Sequence, residues 1–257
     1  RHCYAMHVLR PLGLHHANAI ISSNGTVIRT LGSATQPTHL LARNHLPHAT
    51  SLSLCRHLGE FRNALVLTFD NVGPDGEDSR GALVVEHLDH LHSSIGKWMQ
   101  ANAPYIDRID PIEDALDPAA PPIQAMLCGS IDRMARAEAH LRAHPDAATT
   151  LTLHHTEYPE RDLSILDILP AGCSKGSALL SLAAERGIHS SQILAIGDNW
   201  NDLSMLEIAG RAILMANAPE DLKALARTRG WTIGPANDAD GVADAIESAL
   251  AVAEMVG

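Results

Sequence analysis

From residue 165 onward the chain alternates short apolar runs with amphipathic stretches, a pattern that few folds accommodate. The predicted strands span residues 165–169, 193–196, 212–215 and 231–233. The predicted helices span residues 175–186, 202–209, 220–226 and 240–251. Because successive strand and helix units place their strands side by side in one direction, we predict an α/β fold in which helices cover a parallel sheet.

The chain before residue 164 has a less regular pattern. Apolar residues at helical spacing over 4–12 predict a helix that Gly13 ends, and two β-prone runs around Asn24-Gly25 predict a hairpin. From residue 36 to residue 163, strand-like runs mix with helical and histidine-rich segments, and an amphipathic helix is predicted over 133–142. This middle part is therefore predicted to form a separate α+β unit.

The composition excludes several classes of partner. The chain has 19 Lys and Arg against 30 Asp and Glu, a formal net charge of -11, so we expect no attraction to nucleic acid or to an anionic membrane. No apolar run reaches the roughly 18 residues of a membrane-spanning helix. Cys3, Cys55, Cys128 and Cys173 lie far apart, which argues against a disulfide framework and a zinc ribbon. We expect a cytoplasmic protein with buried, reduced cysteines.

Polar side chains cluster over 197–202, where the predicted strand 193–196 ends. Asp198 follows the strand at the carboxyl edge, where open α/β sheets bind ligands, and Asp202 lies one helical turn later. Two neighbouring carboxylates repel unless a cation lies between them, and oxygen ligands favour Mg²⁺ over zinc. The alternative is structural: Asp198 ends the strand, and Asn201 or Asp202 caps the next helix.

A second candidate element is the glycine-containing turn 170–176, which leads into the helix predicted at 175–186 with Ser174 as its N-cap. Backbone N–H groups at a helix N-terminus, together with an ammonium group in its first turn, form an anion site. Lys175 is therefore a candidate phosphate ligand. The alternative is a solvated surface lysine, which the helix dipole slightly disfavours.

These residues resemble motifs of the haloacid dehalogenase superfamily of Mg²⁺-dependent phosphatases, most closely its Cof-type branch. The segment 172–176 is similar to the family's lysine motif, and 197–202 is similar to its Gly-Asp-x-x-Asn-Asp box. The resemblance implies a catalytic and phosphate-binding role for Lys175, a catalytic metal-holding role for Asp198, and phosphate contact by Asn201. It also implies that Asp202 is a second, supporting metal carboxylate.

Further segments carry the same resemblance. Met215-Ala216-Asn217-Ala218 is similar to a Met-Gly-Asn-Ala turn, with alanine in place of glycine, and Ser23-Asn24-Gly25 is similar to the strand end before the cap insertion. Asn24 and Asn217 are thereby implied in phosphate binding. The implied architecture is a Rossmann-like parallel-sheet core, 1–35 with 164–257, and an inserted α+β cap, 36–163, which closes over the site and selects the substrate.

The family attacks phosphorus with the first Asp of an Asp-x-Asp-Gly-Thr motif, and its second Asp acts as general acid and base. No such motif occurs on a first strand of this chain. In the family a Thr-Gly-Arg-like element precedes the Ser-Asn-Gly strand end, and Arg1 matches its arginine. We therefore expect the nucleophile to lie upstream of residue 1, with the first β-α unit.

Two other groups of residues invite a catalytic or metal-binding interpretation. Asp70 ends an apolar run over 65–69, but Val72 stands where a second acid is required, so we interpret Asp70 as a turn residue. Histidines cluster over 86–92, but on a helix only two of the three would share a face, which disfavours zinc. A solvated polar surface is expected there, and also at 15–16 and 154–155.

The leading hypothesis is Mg²⁺-dependent hydrolysis of a small phosphomonoester, such as a sugar phosphate, through an aspartyl-phosphate. The partner would be a small phosphorylated metabolite, and the cofactor Mg²⁺. The alternative is a non-catalytic phosphoryl-binding or regulatory protein that lacks the nucleophile. A phosphomutase or a sugar-phosphate-specific relative on the same core is a third hypothesis. The sequence leaves the oligomeric state open.

Overall fold

The computed structural model describes residues 1–91, 93–144 and 147–256. The chain divides into two compact units, Arg1–Cys173 and Ser174–Gly257. The division falls ten residues after the boundary predicted between cap and core. The grouping of 1–35 with 164–257 stays a prediction.

The first unit contains nine strands and five helices among its described residues. The strands are β1 (Ala19–Ser22), β2 (Val27–Thr30), β3 (Leu40–Arg43), β4 (Leu65–Thr68), β5 (Leu83–Val85), β6 (Ile106–Arg108), β7 (Gln124–Gly129), β8 (Leu151–Tyr158) and β9 (Leu163–Pro170). The helices are α1 (His2–Leu9), α2 (His48–His57), α3 (Gly96–Asn102), α4 (Ile131–Arg142) and α5 (Ala147–Thr150).

The strands of this unit form two sheets. β1, β2 and β3 make a small antiparallel sheet, and the larger sheet has the order β6-β5-β4-β7-β9-β8 with one parallel pair, β5 with β6. The predicted hairpin is confirmed, since Ile21 of β1 pairs with Ile28 of β2 and Asn24 takes the left-handed conformation, φ 53°. The N-terminal helix is also confirmed, and it ends before Gly13, φ 68°.

One strand lies in a different sheet from the one predicted. The run 165–169 is part of β9, which pairs antiparallel with β7 and β8, and not with the parallel strands that follow. Nearly every residue of β9 is buried. A strand buried on both faces has the same continuous apolar pattern in a parallel and in an antiparallel sheet, so the sequence pattern did not distinguish the two.

Helix α4 packs one face against the large sheet. Met134, Ala137 and Leu141 are buried in the main apolar cluster of the unit, together with Leu127 of β7 and Leu166 of β9. The helix begins at Ser130, whose hydroxyl accepts a hydrogen bond from the backbone N–H of Arg133. The amphipathic helix predicted at 133–142 is thus confirmed, with two additional residues at its start.

Arg62 joins two glutamates that are far apart in the sequence. Its guanidinium donates to Glu86 at 3.0 Å from Nε and to Glu113 at 2.6 Å from Nη1. Hydrogen bonds from Arg62 hold the pKa of both carboxyl groups below the usual range. Both side chains are largely buried, at 10% and 20% exposure, so the network connects β5 to the segment before β7 with little solvent screening.

We expect Arg62→Met to destabilise the first unit by about 3 kcal/mol, because two buried carboxylates would lose their shared cation. Since their folded pKa values lie below the unfolded ones, their contribution is present at neutral pH and is lost as the pH falls through the folded pKa values. In urea unfolding between pH 3 and pH 7, the free energy of unfolding should therefore fall less steeply with decreasing pH in the variant than in the wild type. A variant with the wild-type pH dependence would contradict this role. The control is Arg80→Met, which removes one partner of an exposed ion pair.

The second unit contains the parallel alternation that the sequence predicts. Its strands are β10 (Leu194–Gly197), β11 (Arg211–Met215) and β12 (Thr232–Gly234), and its helices are α6 (Lys175–Glu185), α7 (Leu203–Ile208), α8 (Glu220–Arg229) and α9 (Gly241–Val256). β11 lies between β10 and β12, and both pairs are parallel. Leu206, Leu214 and Leu222 are fully buried in its core, which packs α7 and α8 against β11.

The four cysteines are free and buried, as predicted. Burial raises the pKa of the Cys3 thiol to about 11 and that of Cys55 to about 12. In the described part of the chain, no helix combines the length and the apolar character needed to cross a membrane.

Candidate active site

The site forms where β10 and β11 end. Because the two strands are parallel, with Gly197 opposite Leu214, the segments that follow them leave the sheet at the same edge. Asp198 follows β10, and Asn217 lies in the turn after β11. The Asn217 side chain donates from Nδ2 to Asp198 Oδ2 at 2.8 Å. The structure thus brings together two of the residues that the sequence singled out.

Asp202 connects this edge to the start of α6. Its side chain is 8% exposed, and its Oδ1 accepts from Lys175 Nζ at 2.6 Å. Its Oδ2 accepts from the backbone N–H of Asp198 at 3.0 Å and from that of Asn199 at 3.3 Å. One buried carboxylate therefore holds both the Lys175 ammonium and the backbone that carries Asp198. The cation bound to this carboxylate is the lysine.

Two glycines permit this close arrangement. A Cβ at Gly197 would lie 2.6 Å from Cβ of Asp202, and a Cβ at Gly176 would lie 2.2 Å from the backbone oxygen of Ser204. Both distances are far below van der Waals contact. The Ser204 hydroxyl also accepts from the Gly176 N–H at 3.0 Å. The absence of a side chain at 176 therefore lets α6 approach α7 closely, and its absence at 197 leaves room for the Asp202 side chain that Lys175 contacts.

Most of the backbone N–H groups at 170–176, which were predicted to bind an anion, donate to other acceptors in the structure. The N–H of Gly172 donates to Thr152 Oγ1 at 2.9 Å and that of Cys173 to the Pro170 carbonyl at 3.1 Å. Ser174 and Ser177 form a reciprocal capping box. Local side chains compete successfully for these donors.

The donor set is compatible with Mg²⁺ held by Asp198. Proteins bind Mg²⁺ through one or two carboxylates, with water and substrate phosphate completing the octahedron. Asp198 is half-buried and has one oxygen engaged by Asn217. Both oxygens of Asp202 accept from other donors, so the geometry favours a supporting role over its predicted direct ligation. Within residues 1–91, 93–144 and 147–256, no group of three or more His, Cys, Asp or Glu side chains is arranged to hold a metal.

The other predicted phosphate ligands are Asn201 and Asn24. Asn201 is half-buried in the short helical turn Trp200–Asp202, next to Asp202. Asn24 lies in the first unit, so its part in this site stays a prediction.

Two residues that the sequence did not predict are Ser204, which contacts Gly176, and Lys223, which contacts the turn after β11. A serine two residues after the acidic box gives no recognisable sequence signal.

Asp70 is not a simple turn residue. Its carboxylate is 4% exposed and accepts from Arg29 at 2.7 Å and from Arg43 at 3.0 Å. The expectation for Asp70 is therefore corrected: it is a buried ion-pair acceptor that joins the segment after β4 to β2 and β3. The pairing partners are 41 and 27 residues away, and local turn chemistry gives no indication of them.

The histidine segments differ from one another. His155 is 22% exposed and packs between Glu138, 3.0 Å from its Nδ1, and the Ser164 hydroxyl, so the expectation of a solvated surface is wrong there. His15 and His16 are exposed, as expected. In the segment 86–92, His87 lies 3.5 Å from Asp110, and His92 falls outside the described residues.

Comparison with known proteins identifies a matching family and several similar proteins. A family model for haloacid dehalogenase-like hydrolases matches residues 1–246. The 5-amino-6-(5-phospho-D-ribitylamino)uracil phosphatase YwtE of Bacillus subtilis is 38% identical over 130 residues, which are 50% of this chain and 41% of that protein. The HMP-PP phosphatase of Cronobacter sakazakii is 44% identical over 62 residues, 24% of this chain and 23% of that protein.

A solved haloacid dehalogenase-like hydrolase from Bacteroides thetaiotaomicron shares the fold, with a TM-score of 0.70 over 96% of this chain and 81% of that chain, at 23% identity. The predicted α/β fold class is thereby confirmed. The matched segments span less than half the length of either curated relative. Since the family model covers nearly all of the sequence, the chain belongs to the haloacid dehalogenase-like hydrolase family.

Proposed function

We propose that this chain provides the phosphate-binding and metal-binding part of a Mg²⁺-dependent phosphatase that hydrolyses small phosphomonoesters. The observation that carries the proposal is the arrangement around Asp202, whose carboxylate holds the Lys175 ammonium at 2.6 Å and the backbone of Asp198 at 3.0 Å. One carboxylate thereby holds both a cation and the backbone of the residue proposed to bind the metal. This arrangement suits a dianionic phosphoryl group that needs positive charge on two sides.

Each residue has a distinct role in the proposed reaction. Lys175 neutralises charge on the phosphoryl oxygens as it develops, and Asp202 keeps its ammonium directed at the site. Asp198 would hold Mg²⁺, which as a Lewis acid polarises a phosphoryl oxygen. Asn217 orients the Asp198 carboxylate through its amide, and Asn201 is proposed to contact phosphate oxygens. Asn24 is likewise proposed to contact phosphate.

The attacking group is proposed to be an aspartate that forms an aspartyl-phosphate. The chain contains no Asp-x-Asp-Gly-Thr motif, so we propose that this aspartate belongs to a preceding segment. A non-catalytic phosphoryl-binding protein is the alternative outcome of the tests. The two curated relatives are named as phosphatases of phosphorylated small molecules, which supports a metabolite as substrate.

The α+β segment 36–163 is proposed to act as a cap that selects the substrate, over a core of 1–35 with 164–257. A selective cap would explain how related proteins with one phosphate site act on different metabolites.

The four free, buried cysteines support a reducing compartment such as the cytoplasm.

The test is phosphate release from a panel of phosphomonoesters by the gene product that contains residues 1–257, with Mg²⁺ or with EDTA. We expect release that requires Mg²⁺ and falls by about a thousandfold in Asp198→Ala, because the metal loses its protein ligand. Asp244→Asn, at an exposed position of α9, is the control and should keep full activity. Release that is insensitive both to EDTA and to the loss of Asp198 would contradict the proposal.

Residues 1–257 alone offer a second, independent test. We expect weak binding of Mg²⁺ and inorganic phosphate in calorimetric titrations and no turnover of any ester. Turnover by these residues alone would contradict the assignment of the nucleophile to a preceding segment.

A further inference from the structure

The turn after β11 is held by a lysine that the proposed reaction does not use. Lys223, in the first turn of α8, donates from Nζ to the Ala216 carbonyl at 3.1 Å and to Glu220 Oε1 at 2.6 Å. Its side chain is 16% exposed, whereas that of Glu220 is 78% exposed. A lysine normally keeps its ammonium group in water. This one is directed inward, onto the backbone of the turn.

The same turn determines how Asn217 faces Asp198. The Asn217 Oδ1 accepts from the backbone N–H of Asn237 at 2.9 Å, so its Nδ2 must point the other way, and it donates to Asp198 Oδ2 at 2.8 Å. A carboxamide has one acceptor end and one donor end, so these two bonds fix its orientation. The Ala216 N–H donates to the Pro235 carbonyl at 3.3 Å, which attaches the turn to the same loop.

We propose that Lys223 is a positioning residue for Asp198: by holding the Ala216 carbonyl it fixes the turn that presents the Asn217 amide to the Asp198 carboxylate. The metal-binding consequence rests on the proposed function, but the effect on Asn217 does not. Ala216 stands where the related turn has glycine, and the charge-assisted bond from Lys223 anchors its backbone. Groups that orient a metal ligand alter metal affinity about 10- to 100-fold when removed.

The first measurement is independent of metal and activity. In ¹H–¹⁵N spectra of residues 1–257, the Asn217 side-chain amide is identified by its loss in Asn217→Ser. We expect Lys223→Met to shift both amide protons towards the positions of a solvated carboxamide and to speed their exchange with water. Lys223→Arg, which keeps a cationic donor, should restore the wild-type signals. Glu220→Gln is the matched control and should leave them unchanged, because the bond to Ala216 remains.

The second measurement is the Mg²⁺ affinity from calorimetry on the same variants. We expect about 10-fold weaker binding for Lys223→Met, with Lys223→Arg and Glu220→Gln within about twofold of wild type. If the wild-type chain binds no Mg²⁺, the proposed function fails, while the amide signals still decide the role of Lys223. Unchanged Asn217 signals in Lys223→Met would overturn the inference. If that variant does not fold, Lys223→Gln is judged by the same signals.

Discussion

Replacement of Asp202 by alanine should destabilise the second unit and inactivate the site together. The buried carboxylate accepts one ammonium and two backbone N–H groups, so its removal leaves the Asp198 and Asn199 amides without their acceptor. Hydrogen bonds to charged groups contribute about 1.5–3 kcal/mol each. Because water can solvate some of the former partners of Asp202, we expect the free energy of unfolding to fall by about 3 kcal/mol. Urea unfolding of residues 1–257 measures it.

The same variant should lower phosphate release from the gene product that contains residues 1–257 by about 100- to 1000-fold, because Asp202 no longer holds the Lys175 ammonium in the position proposed to contact the phosphoryl group. Asp202→Asn separates the two effects. Its oxygen can still accept from the loop amides, so most stability should remain, but its NH₂ group cannot pair with Lys175. We therefore expect near-normal stability and low activity. Full activity in Asp202→Asn would show that Lys175 needs no carboxylate partner.

The elements of the second unit could be predicted because local signals agree with the tertiary structure there. Ser174 caps α6 and the left-handed Gly187 follows its end, as their residue types predict. The strand β9 illustrates the limit. Its apolar run is genuine, but which strands it pairs with depends on residues distant in the sequence, and a strand buried on both faces has no period that distinguishes the alternatives.

In the candidate site, too, some features could be predicted from the sequence and others could not. That Asp198 and Asp202 lie at the edge where β10 ends could be predicted from their positions after a strand. The contact of Lys175 with Asp202 could not be predicted in this way, because β9, the strand before Lys175, lies in another sheet. A carboxylate beside a second carboxylate indicates a cation, but the cation in contact with Asp202 is Lys175, 27 residues away in the sequence. The role of Lys223 could not be predicted either, because its hydrogen-bond acceptor is a backbone carbonyl, which every residue type carries.

Gly176→Ala should also have a large effect, although alanine is the better helix former. At an exposed helical position the exchange would stabilise by about 1 kcal/mol. Here the new methyl group would lie 2.2 Å from the Ser204 oxygen and 2.6 Å from the Ser204 carbonyl carbon. Both are backbone atoms, so no side-chain rotation relieves the clash, and α6 and α7 must separate. We expect a net loss of about 3 kcal/mol, at the upper end of overpacking costs.

The separation should also move Lys175, the neighbouring residue, away from Asp202. A displacement of about 1 Å at a reacting group can reduce rates about 100-fold, so activity should fall even in the folded fraction. Gly96→Ala is the control, since it lies at the start of α3 with no atom within 4 Å of the added methyl group, and it should unfold at the wild-type urea concentration or at a higher one. Thermal and urea unfolding, with phosphate release measured well below the midpoint, test both parts. If Gly176→Ala were as stable as Gly96→Ala, α6 and α7 would not require this close contact. The geometric argument for the proposed contact of Lys175 with phosphate would then be lost.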